Sequence, residues 1–117
     1  MPPWVYVYDP QSGGNKIPPP THEAICKQAE SFARARAWYP RIQLKLRFKN
    51  QFCYVDTIEE GDERRFPLCR LRYFDKDKWS LALFTYSNER YSPSLFSDGE
   101  WKGTFEAGLE VCEPFIL

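Results

Sequence analysis

The sequence predicts an α+β domain: an extended N-terminal arm, one helix, an antiparallel sheet of about five strands and a short C-terminal helix. Three observations carry that prediction. Apolar residues recur at helical spacing from Thr21 towards Pro40, the period drops to two at Arg41–Lys49, and turn-forming clusters then separate several β-prone runs. The chain has 117 residues, which suits one domain. Aromatic residues make up 17% of it, enough apolar surface for a packed core.

Residues 1–20 read as an arm packed on the body formed by residues 21–117. Trp4, Tyr6 and Tyr8 alternate as an aromatic face, followed by the turn chemistry of Asp9-Pro10 and Ser12-Gly13-Gly14-Asn15. Pro18, Pro19 and Pro20 should hold an extended polyproline-like stretch, since each ring fixes φ and removes a donor. The arm could cover its own sheet, or pair with a neighbour's sheet edge to form a homodimer.

The first helix should begin at Thr21, a hydroxyl cap with Glu23 in the first turn, and stop at Pro40. Ile25, Ala29, Phe32 and Ala33 share its apolar stripe, with Cys26 and Ala37 at the edge. The first strand follows. Ile42, Leu44, Leu46 and Phe48 should be buried, with Arg41, Lys45, Arg47 and Lys49 exposed. A turn at Lys49-Asn50-Gln51 returns the chain through Phe52–Thr57. Cys53 and Val55 then lie beside Phe48 and Leu46, and Phe52, Tyr54 and Asp56 join the basic side.

A charged loop, 58–65, leads to a third strand at about 66–74 and a fourth at 79–86. A four-residue turn, Asp75–Lys78, would put Cys69, Leu71 and Tyr73 on one face with Ala82 and Phe84. Arg70, Arg72 and Phe74 would then share the other with Trp79, Leu81 and Leu83. Neither face of this hairpin is simply polar, which suits a central position. A fifth strand, Arg90–Phe96, carries Pro93 and should be an edge. Thr104 should cap the last helix, where Phe105, Leu109 and Cys112 form a stripe and Gly108 allows close packing. Pro114 ends that helix, and Phe115-Ile116-Leu117 should dock as an apolar tail.

The segments LCRLRYF, WSLALFTYSNERYSPSLF and GEWKGTFEAGLEV between Leu68 and Val111 resemble a family of short, uncharacterised bacterial proteins. Members share a CRLRYF strand, a WSFAFYTYS strand, a tyrosine-to-PSVF segment and a GT before an acidic helix. The arm Tyr8–Pro18 matches a recurrent YDP-x-SGG-x-K-IP pattern. The resemblance implies that arm and sheet are one unit. It implies no activity and assigns no functional residues.

Composition limits the function classes. Lys+Arg and Asp+Glu are 16 each, so the net charge is zero, without the basic excess typical of proteins held to nucleic acid by bulk charge. No apolar run approaches the length of about 20 residues that spans a membrane. The N-terminus lacks the pattern of a secretory signal, so a cytoplasmic location is expected. Cys26, Cys53, Cys69 and Cys112 contain no C-x-x-C spacing and read as reduced, buried thiols.

Charge is nevertheless segregated. Arg41, Lys45, Arg47 and Lys49 lie in an acid-free stretch, whereas Asp98, Glu100, Glu106, Glu110 and Glu113 crowd the C-terminal part. With neighbouring hairpins, Arg41, Lys45, Arg47, Lys49, Arg70 and Arg72 share a sheet surface with Phe52 and Tyr54. Such a candidate binding face suits single-stranded nucleic acid, where rings stack on bases and cations meet phosphates. The same alternation also keeps an ordinary sheet wet.

Other constellations carry less. His22, the single histidine, precedes Cys26 by one helical turn, which is half a metal site at most. No G-x-S-x-G accompanies it. Glu59, Glu60, Asp62 and Glu63 lack the ligand spacing of an EF-hand. Glu100 and Lys102 match a short nuclease-like E-x-K, and Gly13-Gly14 with Lys16 lacks the helix start of a phosphate loop. No catalytic residue, metal ligand or cofactor is assigned. The expected function is a non-enzymatic binding or accessory protein with a protein partner or a second copy. The alternatives are single-stranded nucleic-acid binding and an enzyme with an unrecognised site.

Overall fold

The computed structural model describes residues 12–116, so the aromatic face expected of Trp4, Tyr6 and Tyr8 lies outside the described residues. Helix α1 (Pro19–Arg34) leads into strands β1 (Ile42–Lys49), β2 (Phe52–Glu59), β3 (Arg65–Asp75), β4 (Lys78–Thr85) and β5 (Arg90–Ser94). A two-residue strand β6 (Lys102–Gly103), helix α2 (Phe105–Cys112) and a 3-10 turn (Glu113–Phe115) complete the α+β fold. The sheet is antiparallel, in the order β1-β2-β3-β4-β5, and β6 continues the β5 side of β4 by pairing with Trp79 and Ser80. Helices α1 and α2 touch each other and cover one face, α1 over β1 and α2 over β3 and β4. No helix among the described residues is long and apolar enough to cross a membrane.

Helix α1 opens two residues earlier than Thr21. Pro19 and Pro20 form its first turn, Pro18 is the cap, and no side chain caps it. Prolines fit there because the first N–H groups of a helix have no intrahelical acceptor. The helix ends at Arg34, well before Pro40, and the following turns let Trp38 Nε1 donate to Glu113 at 3.1 Å. Its buried residues are Ile25, Ala29, Phe32 and Ala33, as the wheel predicts. Cys26 is exposed, because the edge of that stripe faces water.

The first hairpin has the predicted register, with Phe48 opposite Cys53 and Leu46 opposite Val55. Cys53 and Val55 are fully buried and Ile42 nearly so, but Leu44, Leu46 and Phe48 are only half-buried, and Lys45 is half-buried too. The reason is position. Strand β1 is an edge roofed by a single helix, so its apolar side is closed from above and open at the flank.

The second hairpin reverses the predicted faces. Asp75 pairs with Lys78 across a turn of only Lys76-Asp77, and a bulge separates Tyr73 from Asp75. Tyr73, Leu71 and Cys69 therefore oppose Trp79, Leu81 and Leu83, while Arg72 and Arg70 oppose Ser80 and Ala82. A one-residue change of register moves every side chain to the other face. Here it places the apolar set under the helices. Trp79 is fully buried in edge-to-face contact with Tyr73 (5.0 Å between centroids) and Phe105 (5.3 Å).

Thr104 caps α2 by accepting the Ala107 N–H at 3.1 Å, and Phe105, Leu109 and Cys112 are buried as predicted. A Cβ on Gly108 would stand 2.7 Å from Leu71 Cδ2, so glycine permits the helix to lie against β3. The tail divides. Ile116 is buried, whereas Phe115 is 67% exposed because the 3-10 turn points it outward.

Residues 12–17 lie along the end of the sheet. Asn15 N–H donates to Tyr73 O (2.8 Å), Ile17 N–H to Asn50 O (3.0 Å) and Arg72 Nη1 to Gly13 O (2.7 Å). Gly14 has φ +98°, and a Cβ there would stand 2.9 Å from both Tyr73 O and Arg72 Cγ. The Gly13-Gly14 pair is thus a backbone clasp. Ile17 beyond it is fully buried.

Candidate functional site on the outer sheet face

The helix-free face is built by strand alternation. Lys45, Arg47 and Lys49 stand opposite Asp56, Tyr54 and Phe52, and Tyr54 and Phe52 in turn stand opposite Arg70 and Arg72. Seven of the eight predicted residues therefore share one surface. Arg41 flanks it just before β1 and meets Glu59 at 3.9 Å.

The cations do not form a uniform basic stripe. Asp56 is only 2% exposed, and Arg47 grips it through Nε (2.8 Å) and Nη2 (3.3 Å). Arg65 Nη1 lies 3.9 Å from the same carboxylate. The hydrogen bond to Asp56 holds the Arg47 guanidinium above its ordinary range. Arg47 also lies 4.8 Å from the Tyr54 ring centre. Arg70 and Arg72 approach the Phe52 ring at 4.5 and 4.6 Å, and Arg70 also approaches Tyr91 at 5.1 Å. Guanidinium groups favour ring faces because the quadrupole is negative there. Arg72 is buried, with Gly13 O as an acceptor. Lys45 and Lys49 differ from the arginines, since neither has an ion-pair or ring partner among the described residues.

Sequence reasoning placed Asp56 on this face but did not see it as the anchor. Tyr91 has no place in the sequence-predicted face, and Phe84, 5.1 Å from Tyr91, belongs to this face rather than to that of Cys69, Leu71 and Tyr73, where a four-residue turn would put it. They extend the aromatic surface across β4 and β5, with Tyr91 edge-on to Tyr54 at 5.6 Å. Burial first, then the charge of Asp56, pushes the Tyr91 hydroxyl above its ordinary range. The alternation of β5 carried that signal, but Pro93 obscured it.

The remaining constellations disperse. The His22 ring stacks flat on Phe48, 4.1 Å between centroids and 7° between planes. Cys53, Cys69 and Cys112 are fully enclosed. Burial pushes the Cys53 and Cys69 thiols up, and the neighbouring Cys112 thiol adds to the rise at Cys69. In the acidic loop, Asp62 is taken by Arg64 at 2.9 Å. Lys102 Nζ lies over the Phe74 ring at 4.1 Å, and Glu100 closes the 96–100 turn through its backbone. Among the described residues no three His, Cys, Asp or Glu side chains converge as a metal site. A cleft of about 370 Å³ opens at the far end of the sheet, where Phe66, Phe84, Tyr86 and Phe115 give it aromatic walls.

No family model matches the chain, and neither a curated protein nor a solved structure matches it. The resemblance read from its motifs stands on those motifs alone.

Proposed function

We propose that this chain is a non-enzymatic binding or accessory protein. The observation that carries the reading is the fate of its chemically capable groups. Among the described residues three of the four thiols are enclosed in the core, the exposed fourth, Cys26, joins no cluster of three metal-ligating groups, the single imidazole is stacked on Phe48, and the one buried carboxylate of the outer face is clamped by Arg47. All but Cys26 contribute to packing, and none lines a cleft with a second reactive group. Capture of a stoichiometric partner by the tagged full chain from a native bacterial lysate, retained after nuclease treatment, is the expected result. Recovery of no partner, with turnover of a small molecule instead, contradicts it.

Single-stranded nucleic acid is the second reading. Lys45 and Lys49, without ion-pair partners among the described residues, flank the half-exposed rings of Phe52 and Tyr54. Against it, the neighbouring guanidinium groups already occupy ring faces where bases would stack. Titration of labelled oligothymidylate decides. Salt-dependent binding that weakens in a Lys45→Ala/Lys49→Ala variant supports this reading, and no binding at low salt removes it.

A further inference from the structure

The two edges of the sheet are unequal. The β5 edge is five residues long, carries Pro93, and is continued by β6. The β1 edge is eight residues long, and its register with β2 runs from Ile42 to Lys49 without a bulge. It has no proline. Natural sheets blunt long edges with such devices, and β1 relies on charge alone.

Across the two-residue turn Asn50-Gln51, ladder alternation directs the backbone N–H and C=O of Leu44, Leu46 and Phe48 away from β2. No backbone partner meets those amides among the described residues. Their side chains are half-buried beneath α1, leaving an apolar seam beside the open backbone. On the other side of the strand stand Lys45 and Lys49, without an ion pair among the described residues, with the charge of Arg47 matched by Asp56.

We infer that β1 accepts an added strand from a protein partner, an extended segment that alternates apolar and acidic residues. The apolar side chains would continue the Leu44–Leu46–Phe48 seam, and the acids would face Lys45 and Lys49. The molecule already uses this pairing internally, since β2 sets Val55 opposite Leu46 and an acid, Asp56, opposite Lys45. A second copy added through the same edge would set lysines and arginines beside their own kind, an arrangement that destabilises sheet pairs. The inference rests on the binding reading and names the partner's chemistry.

The test uses the whole chain and two synthetic eight-residue probes, one alternating Val and Glu, the other Val and Lys. Amide exchange of labelled protein is followed with each. The Val-Glu probe should protect the amides of Leu44, Leu46 and Phe48, leaving the β5 amides unchanged. Its affinity should exceed that of the Val-Lys probe by about tenfold or more, a preference that Lys45→Glu/Lys49→Glu should invert. Equal binding of the two probes, protection elsewhere, or displacement of the Val-Glu probe by oligothymidylate overturns the inference. So does concentration-dependent protection of β1 without a probe, which would mean a second copy. Because the probes need no natural partner, their failure condemns the β1 inference alone. Failure of lysate capture condemns the binding reading.

Discussion

The two hairpins at the heart of the sheet look alike in sequence, each alternating basic and apolar residues, yet the structure uses them differently. The β1–β2 hairpin is peripheral: the apolar side of its outer strand β1 is half-covered, and Lys45 and Lys49 are without ion pairs among the described residues. The β3–β4 hairpin is central. Leu71 and Trp79 are sealed beneath α2 on one side, and Arg70 and Arg72 lie against Phe52 on the other. Charge on an alternating strand therefore says little by itself. What decides its role is whether a strand pairs on both flanks, because a central cation must find a ring or a carbonyl, while an edge cation can remain in water.

Cavity-forming substitutions should separate the hairpins most. Trp79→Ala in the central pair should cost about 3–5 kcal/mol, while Leu46→Ala at the edge should cost only about 1–2 kcal/mol, because its side chain already meets solvent. Denaturant melts check this, and equal losses would erase the distinction. Removing Asp56 comes next. Asp56→Ala leaves Arg47 and Arg65 without their buried acceptor, at a cost of about 1–3 kcal/mol, limited because Arg47 is half-exposed. Lys45→Ala should stay within about 0.5 kcal/mol. A loss at Lys45 matching that at Asp56 would mean that both cations are structural.

The clasp on the central hairpin gives a comparable effect. Gly14→Ala must place a Cβ against Tyr73 O at a positive φ, so a loss of about 1–3 kcal/mol is expected in thermal melts. Unchanged stability would show that the clasp is dispensable. The smallest effect is alkaline. Burial raises the Cys53 and Cys69 thiols above their ordinary value of 9.0. Below that pH both states hold the proton and stability is flat. Above it the unfolded chain releases protons that the folded chain keeps, so stability should fall as pH rises. A Cys53→Ala/Cys69→Ala variant, compared with wild type by melts across this range, should show a shallower fall.

The peripheral hairpin was legible because its two-residue turn leaves one register that buries Cys53 and Val55 together. The central hairpin was not, because Asp75-Lys76-Asp77-Lys78 is turn-compatible throughout and a bulge at Tyr73–Asp75 consumes one residue that alternation counts. Two prolines hid the start of α1, being both extended-chain formers and good first-turn residues. Strand β6 is too short to show any period. Membership of the outer face followed from alternation alone. The grip of Arg47 on Asp56 did not, since it is a diagonal contact across the strands and depends on side-chain reach.

Native-state hydrogen exchange tests the contrast between the hairpins most directly. The ladder amides of Lys45 and Arg47 should open with a free energy well below that of Leu71 and Arg72, which should exchange only with global unfolding. Equal opening free energies, or slower exchange in β1 than in β3, would contradict the account.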